Sequence, residues 1–163
     1  MGIEDQMIRY IMEHYRGLTT SIYCGKQDFG QFSISSGVKQ GDPLSPILFN
    51  CVLDKFISSL PNDIGGTVAG KKISVLAFAD DLLFLSNSPA AMQMMLDLLG
   101  KFLESEGMRA NVSKCHALFC EKITGVQKLA VITKSTFQLQ GQPIPSVGVI
   151  DSFRYLGRDI GFM

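Results

Sequence analysis

Two adjacent aspartates, Asp80 and Asp81, stand between apolar stretches at residues 75–79 and 82–85. They are the side chains of this sequence best placed to do chemistry. Both flanks are apolar enough to form buried strands. Because an unpaired charge is costly to bury, we expect both carboxylates at the exposed tip of a tight hairpin. Two like charges side by side repel one another unless a cation lies near them.

The acidic pair supports two interpretations. Carboxylate oxygens are hard ligands that suit Mg²⁺, which is commonly held by one or two carboxylates together with substrate phosphates. Two-metal phosphoryl transfer uses such an arrangement. Alternatively, the pair is a polar turn, because aspartate favours turns. A two-residue hairpin turn built for stability prefers Asn-Gly or Asp-Gly, however, so Asp-Asp suits a ligand pair better than a turn.

A second candidate segment, residues 37–46, joins a predicted strand to a predicted helix and contains two glycines, two prolines, Lys39 and Gln40. Glycine lets a backbone approach a ligand closely, and the N-terminus of the following helix offers free N–H groups to an anion such as phosphate. Lys39 and Gln40 could contact a polar substrate or a nucleic-acid backbone. The alternative is an ordinary strand-to-helix loop. The segment has neither the Walker A pattern nor the dinucleotide-binding glycine pattern.

Hydrophobic spacing and turn residues predict the elements that position these segments. Ser45-Pro46 and Ser88-Pro89 each combine an N-cap residue with proline at the first helical position, and Gly107 marks a helix end. Helices are predicted at residues 3–16, at 47–60 and between Pro89 and Gly107; strands are predicted at 18–24, 29–35, 73–79, 82–86, 116–120, 129–133 and 136–139, with a final hairpin around 154–160. Strands and helices do not strictly alternate, so we expect an α+β layered domain.

The composition restricts the class of protein. The 163 residues are 46% hydrophobic and 18% charged, which excludes an intrinsically disordered chain. Its 15 basic and 15 acidic residues give a net charge of zero, so the chain lacks the bulk positive charge typical of nucleic-acid binders. No apolar run approaches the roughly 18 residues of a membrane span. The four cysteines, without an export signal, are expected to be reduced thiols of an intracellular protein.

The two candidate segments together resemble a known family. Residues 37–50, Gly-Val-Lys-Gln-Gly-Asp-Pro-Leu-Ser-Pro-Ile-Leu-Phe-Asn, and residues 77–86, Ala-Phe-Ala-Asp-Asp-Leu-Leu-Phe-Leu-Ser, are similar to motifs B and C of reverse transcriptases. The likeness is greatest to non-LTR (LINE-like, type-1) retrotransposable elements, particularly those that insert into ribosomal RNA genes. Residues 107–115 resemble motif D, and residues 153–157 resemble motif E, the primer grip.

This resemblance implies a fold and a set of site residues. The fold is a polymerase palm subdomain across residues 1–163, an α+β antiparallel sheet with helices packed on one face and the acidic hairpin at its centre. Asp80 and Asp81 would be two of three catalytic carboxylates that hold two Mg²⁺ ions, which Mn²⁺ could replace. The nucleotide would meet Gln40, Gly41, Phe78, Ala79 and Lys114, and the template and primer would meet Lys39, Pro43, Ser45, Tyr155, Leu156 and Gly157.

One part of the family pattern is missing from these residues. The first catalytic aspartate belongs to motif A, upstream of motif B, and neither Asp5 nor Asp28 has its apolar strand context. The fingers, the thumb and the endonuclease also have no counterpart. We therefore interpret the chain as a palm fragment that covers motifs B to E, is truncated on both sides and is inactive alone.

The resemblance further implies RNA-directed DNA polymerisation within a retrotransposon Pol polyprotein, which copies element RNA into DNA at a nicked target. The expected partners are an RNA template, a DNA primer or target DNA, deoxynucleoside triphosphates and the remaining parts of the polyprotein, with no membrane. The expected location is intracellular, and nuclear at the site of action.

Two alternative functions stay open. A group II intron maturase-like or other cellular reverse transcriptase would share the fold, although the Asp42-Pro43 pair and Phe78 favour the retroelement. A non-catalytic palm domain that binds nucleic acid would need no metal site. The intact acidic pair argues against that alternative, whereas the missing motif A leaves it open.

Overall fold

A computed structural model describes residues 2–122, 129–131 and 137–161. The chain divides into two compact units, residues 1–49 and 50–163, each with its own internal contacts. The helices are α1 (Asp5–Tyr15), α2 (Ser45–Ser59) and α3 (Pro89–Ser105), with a short 3₁₀ helix at Val112–Lys114. The strands are β1 (Thr19–Cys24), β2 (Gln27–Ser33), β3 (Gly66–Val68), β4 (Lys71–Ile73), β5 (Val75–Phe78), β6 (Asp81–Phe84), β7 (Cys120–Lys122), β8 (Leu129–Val131), β9 (Gln138–Leu139), β10 (Gln142–Pro143), β11 (Ser152–Tyr155) and β12 (Arg158–Gly161).

The first unit contains α1 and an antiparallel hairpin of β1 and β2, as the sequence predicts. The turn of this hairpin is shorter than expected, because Cys24 pairs with Gln27 and only Gly25 and Lys26 lie between the strands. Gly25 supplies the positive φ of +63° that such a turn needs. The apolar residues of α1 have helical spacing, yet the helix buries none of them.

The second unit has an apolar core between α2 and α3. The two most deeply buried side chains are Phe56 on α2, 1% exposed, and Met95 on α3, 0% exposed. Other members of the core are Leu60, Leu96, Leu99, Val112, Phe137, Leu139 and Ile144. Phe56 on α2 and Leu60 just after its end lie about one turn apart, and Met95 and Leu99 lie about one turn apart on α3, so helical spacing brings these residues to one face of each helix and into the core.

Helix α3 begins and ends at the predicted residues. The Ser88 hydroxyl accepts a hydrogen bond from the Ala91 backbone N–H at 3.2 Å, and Pro89 occupies the first helical position. Gly107 follows the helix with a φ of +67°, and its N–H donates to the Glu104 carbonyl at 3.1 Å. These contacts satisfy backbone groups that would otherwise lack a helical partner.

The strands differ from the single antiparallel sheet that the sequence predicts. In the described residues they form six separate two-stranded sheets, each made of strands adjacent in sequence. The physical reason is that short turns fix these pairs locally. The β3–β4 pair is joined to the segment that follows β6 by a backbone hydrogen bond, from the Gly66 N–H to the Leu85 carbonyl at 3.0 Å, and by contacts between Thr67 and Asn87. The mixed α and β content is confirmed.

Several other predictions concern the later part of the chain. The strand predicted at 129–133 is present as far as residue 131, and residues 132–136 lie outside the described ranges. The final hairpin is present as β11 and β12. All four cysteines are free thiols, as expected. Within the described ranges, no helix combines the length and the apolar character needed to cross a membrane.

Met95 and Met94 form a matched pair for testing the core, since Met95 is fully buried and Met94 is 50% exposed. Met95→Ala is expected to lower the free energy of unfolding by about 2–5 kcal/mol, because it leaves a cavity between α2 and α3. Met94→Ala should change it by less than about 0.5 kcal/mol. Urea denaturation followed by circular dichroism measures both values, and equal effects would contradict the packing described for α3.

Candidate active site

The β5–β6 ribbon carries the acidic pair and sorts its side chains onto two faces. Its cross-strand pairs are Val75 with Phe84, Leu76 with Leu83, Ala77 with Leu82, and Phe78 with Asp81. Successive side chains of a strand point to opposite faces, so the pairs alternate between the faces. Val75, Leu82 and Phe84 pack against the core. The Leu76–Leu83 and Phe78–Asp81 pairs therefore lie on the opposite face.

A ring contact attaches the ribbon to α2, and a second ring contact joins α2 to α3. The ring centroids of Phe84 and Phe56 are 6.2 Å apart, with the planes at 66°. Phe56 also contacts Phe102 of α3, with centroids 5.1 Å apart. Aromatic pairs favour such offset and edge-on arrangements. The core face of the ribbon is thus anchored, and its other face is available to a ligand.

The turn of the ribbon lies one residue earlier than the sequence predicts. Ala79 and Asp80 form the two-residue connection, and Asp81 is the first residue of β6, opposite Phe78. Ala79 has a φ of +52°, whereas Asp80 is not among the residues with positive φ. This is the φ pattern of a type II′ turn, which needs a positive φ at its first central residue only. Both carboxylates are exposed, as expected.

The flanking strands are less buried than expected. Leu76 is 46% exposed and Phe78 is 64% exposed, although the apolar sequence predicts buried strands. The reason is that the ribbon is two-stranded and packs through one face only, so alternate residues face away from the core. An exposed apolar surface therefore adjoins Asp81.

The donor chemistry of the acidic pair fits a divalent cation in part. Two exposed carboxylates supply hard oxygen ligands, and Mg²⁺ accepts one or two of these together with phosphate oxygens. In the described part of the chain, no group of three His, Cys, Asp or Glu side chains converges on one point. Asp5 begins α1, and Asp28 lies in β2, where its Oδ1 accepts a hydrogen bond from the Gly30 N–H at 2.8 Å.

The loop before α2, in the first unit, turns at Gly37 and Gly41, whose φ values are +80° and +87°. Lys39, Gln40 and Pro43 are exposed, as their predicted roles at a substrate require. These roles stay predictions, because no substrate contact tests them.

Ser45 differs from its predicted role as the N-cap of α2. It is the first helical residue and only 6% exposed, and its hydroxyl donates to the Lys39 carbonyl at 2.5 Å. The first helical hydrogen bond is instead accepted by the Leu44 carbonyl, from the Leu48 N–H at 2.9 Å. The hydroxyl therefore closes the loop on itself rather than capping the helix.

Asp42 is the most connected side chain of this loop. Its Oδ1 accepts a hydrogen bond from the Leu44 N–H at 2.9 Å. Its Oδ2 lies 3.2 Å from Nε2 of His14 and accepts from the Tyr15 hydroxyl at 3.3 Å. The sequence places His14 on a polar, solvated helix face, and no sequence signal links it to a residue 28 positions away. These contacts are the main site feature that sequence reasoning misses.

The motif E residues form the tip of the β11–β12 ribbon. Tyr155 pairs with Arg158, and Leu156 and Gly157 form the turn with φ values of +47° and +79°. Leu156 is 50% exposed at this tip. The ring of Phe153 stacks on His116, with centroids 4.9 Å apart, and so holds the ribbon against the preceding segment.

Lys114 ends the short 3₁₀ helix and is exposed. None of the salt bridges between described residues joins it to Asp80 or Asp81. The structure therefore brings Phe78, Ala79, Asp80 and Asp81 together at one hairpin tip. It brings Lys39 and Ser45 together at another site, and Tyr155, Leu156 and Gly157 at a third.

Comparison with known proteins identifies the family. Residues 2–160 match the family model described as "Reverse transcriptase (RNA-dependent DNA polymerase)". The chain therefore belongs to the reverse transcriptase family, and the resemblance found in residues 37–50 and 77–86 is confirmed.

The chain is similar to Pol polyproteins of R2 retrotransposable elements. It is 36% identical over 158 residues to the "Retrovirus-related Pol polyprotein from type-2 retrotransposable element R2DM" of Drosophila melanogaster, which covers 96% of this chain and 15% of that relative. It is 36% identical over 152 residues to the type-1 R2 polyprotein of Nasonia vitripennis, and the match covers 93% of this chain and 15% of that relative. It is 37% identical over 164 residues to a type-1 R2 polyprotein of Popillia japonica, and the match covers 99% of this chain and 23% of that relative. The chain thus spans less than a quarter of each of these relatives.

Asp42 gives the loop before α2 a pH dependence. The Leu44 N–H holds the pKa of the Asp42 carboxyl below its ordinary value of 3.8, and His14 and Tyr15 lower it further, against an opposing effect of burial. Because the pKa is lower in the folded state, the carboxylate stabilises the fold above its ordinary pKa and stops doing so as the pH falls through its folded-state pKa.

We therefore expect the free energy of unfolding of the wild type to exceed that of Asp42→Asn by a constant amount near neutral pH. The difference should begin to shrink below about pH 4, where the carboxyl of the unfolded chain becomes protonated, and should continue to fall until the pH passes the lowered folded-state pKa. Urea denaturation of both proteins across this pH range measures the difference. A difference that persists unchanged down to about pH 2 would contradict the assigned contacts.

Proposed function

We propose that this chain is the palm part, motifs B to E, of an RNA-directed DNA polymerase within an R2-like retrotransposon Pol polyprotein. In this proposal, the parent protein copies element RNA into DNA at a nicked target. The observation that carries the proposal is the geometry of the β5–β6 tip. Asp80 lies in the turn, and Asp81 lies on the ribbon face turned away from the core, opposite Phe78.

The acidic pair holds the metal in this proposal. Asp80 and Asp81 are exposed and supply carboxylate oxygens, and a third carboxylate comes from a motif A strand. Divalent ions held there, Mg²⁺ or Mn²⁺, would lower the pKa of a primer 3′-hydroxyl and would neutralise charge on the α-phosphate and on the leaving pyrophosphate. The contribution of the protein is position, because the ribbon is anchored through Phe84 and cannot slip without exposing it.

The apolar face beside Asp81 receives the primer terminus. Phe78 is 64% exposed and lies across the strand pair from Asp81, so its ring is available to pack against a sugar or base. Ala79 adds only a methyl group at the turn, which leaves room below the last base pair. These two residues thus contact the nucleotide while the aspartates hold the metal.

The remaining predicted residues complete the substrate contacts. Gln40 and Gly41 border the incoming deoxynucleotide, and Lys39 and Pro43 shape the floor under the template. The buried Ser45 contributes to this floor from behind, through its hydrogen bond to the Lys39 carbonyl. Tyr155, Leu156 and Gly157 hold the primer strand at the β11–β12 tip, and Lys114 faces the triphosphate. The exposed Leu156 at a positive φ supports this role, because backbone strain of that kind is concentrated at functional sites.

The net charge of the chain indicates which part of the polyprotein binds the nucleic acids. With 15 basic and 15 acidic residues, its net charge is zero, and it lacks the excess of cations that phosphate contacts require. The grip on the RNA template and on the DNA primer or target comes from other parts of the polyprotein, which also supply the fingers, thumb and endonuclease. Reverse transcription at a chromosomal target places the protein in the nucleus.

Substitution of the acidic pair tests the proposed function. The complete polyprotein reading frame that contains this chain is assayed for DNA synthesis on an RNA template with Mg²⁺. Asp80→Asn and Asp81→Asn should each reduce the rate by about 10³-fold or more, because metal stabilisation of the transition state amounts to several kcal/mol. Asp63→Asn is the matched control, since Asp63 is also an exposed aspartate of the second unit.

The outcomes separate the alternatives. Synthesis that needs both aspartates and tolerates Asp63→Asn supports the polymerase. Synthesis that survives both substitutions makes the acidic pair a polar turn. Binding of template and primer without synthesis favours the non-catalytic palm.

A further inference from the structure

We propose that Tyr15 and His14, at the end of α1, are positioning residues that hold the loop of residues 39–45 in shape for the incoming deoxynucleotide. The inference rests on the proposed function, since it assigns a role to contacts made behind a loop that is proposed to meet substrate. All of these residues except Ser45 precede α2, and all lie within the first unit.

The loop is exposed except at two polar side chains. Lys39, Gln40 and Pro43 are exposed, whereas the Asp42 side chain is 10% exposed and Ser45 is 6% exposed. Polar side chains that are withdrawn from water need hydrogen-bond partners in the protein. Some of those partners come from α1, because both His14 and Tyr15 reach the loop. The others, the Leu44 N–H and the Lys39 carbonyl, belong to the loop itself.

Tyr15 contacts both withdrawn side chains through a single hydroxyl. This hydroxyl lies 3.3 Å from Oδ2 of Asp42 and 3.2 Å from Oγ of Ser45. His14 approaches the same Asp42 oxygen with its Nε2 at 3.2 Å. Two neighbouring residues of one helix end therefore converge on one carboxylate oxygen.

The available protons fix the direction of these hydrogen bonds. The Ser45 hydroxyl has one proton, which it donates to the Lys39 carbonyl at 2.5 Å. The Asp42 carboxylate has no proton to give. The single Tyr15 proton is therefore the one available to Asp42 and Ser45, either donated to Asp42 alone or shared between the two oxygens in a bifurcated hydrogen bond. Replacing Tyr15 by phenylalanine removes this donor and leaves both acceptors without it.

These hydrogen bonds fix the backbone of residues 39–45, which includes the residues proposed to contact the nucleotide. The Lys39 carbonyl accepts from the Ser45 hydroxyl and also from the Asp42 N–H at 3.2 Å. The other Asp42 oxygen accepts from the Leu44 N–H. Gln40 and Gly41 thus lie on a backbone arc that is closed at both ends, and Tyr15 and His14 tie this arc to α1.

Tyr15→Phe and Tyr10→Phe form a matched pair for the test. Tyr10 lies on the same helix and is 62% exposed, and the described residues show no hydrogen bond to its hydroxyl. Both variants are made in the complete polyprotein. Steady-state DNA synthesis gives kcat and KM for deoxynucleotide, and hydrogen exchange with mass spectrometry gives the protection of residues 37–46.

Tyr15→Phe should raise the KM for deoxynucleotide by about threefold to tenfold, the loss expected for one hydrogen bond that positions a loop. Its kcat should stay within about twofold of the wild-type value, because the metal ligands are untouched. Exchange in residues 37–46 should become faster. His14→Ala should behave similarly, and His14→Gln, which keeps a donor for Asp42, should restore most of the wild-type KM.

Two results would overturn the inference. One is exchange in Tyr15→Phe that equals the exchange in Tyr10→Phe, because the contacts would then not hold the loop. The other is faster exchange with an unchanged KM, because the loop would then be held without positioning substrate. A wild type that copies no template refutes the proposed function instead, and the exchange data still report on the contacts.

Discussion

The hydrogen-bond register of the β5–β6 ribbon is the constraint on which the rest of the candidate site depends. Pairing Phe78 with Asp81 sends Val75, Leu82 and Phe84 into the core and leaves Asp81 on the opposite face. A slip of one residue would exchange the two faces, so it would expose Phe84 and point Asp81 towards apolar side chains. Core packing therefore protects the position of a charged group that makes no contribution to the core. The Phe56–Phe84 contact stabilises this register, because a slip would remove Phe84 from the core.

Two other segments also have exposed residues whose position is fixed by contacts elsewhere in the same unit. The β11–β12 ribbon presents Leu156 at a strained tip and is held from behind by the stack of Phe153 on His116. The loop before α2 presents Lys39 and Gln40 and is held from behind by polar contacts to Asp42 and Ser45. In each case the exposed residues are those proposed to meet substrate, and contacts to other residues of the same unit hold the segment in place.

Much of this arrangement could be predicted from the sequence, and the exceptions have physical causes. Helix α3 follows from Ser88, Pro89 and Gly107, since caps and apolar spacing are local signals. The β1–β2, β5–β6 and β11–β12 hairpins follow from equally local turn signals, whereas β3 and β10 have no counterpart among the predicted strands. The turn at the acidic pair is displaced to Ala79 and Asp80, because alanine adopts a positive φ that propensity alone assigns to glycine or asparagine. The Ser45 hydroxyl bonds to the Lys39 carbonyl six positions earlier, and the helix begins one residue earlier than the capping pattern predicts. The His14–Asp42 contact joins residues 28 positions apart, which no local pattern encodes. The prediction of a single sheet is wrong for the same reason. Pairing between strands that are distant in sequence depends on tertiary contacts, which local patterns do not encode.

Metal-directed cleavage tests the central claim most directly. Fe²⁺ can replace Mg²⁺ at a site of oxygen ligands, and with ascorbate and peroxide it cuts the backbone beside the bound ion. The measurement is made on the complete polyprotein with template and primer, and the fragments are mapped by mass spectrometry. The account predicts cleavage centred on the β5–β6 tip, suppressed by excess Mg²⁺ and lost in both Asp80→Asn and Asp81→Asn. Cleavage elsewhere in the chain, or cleavage at the tip that neither substitution reduces, would contradict the assignment of this hairpin as the metal site.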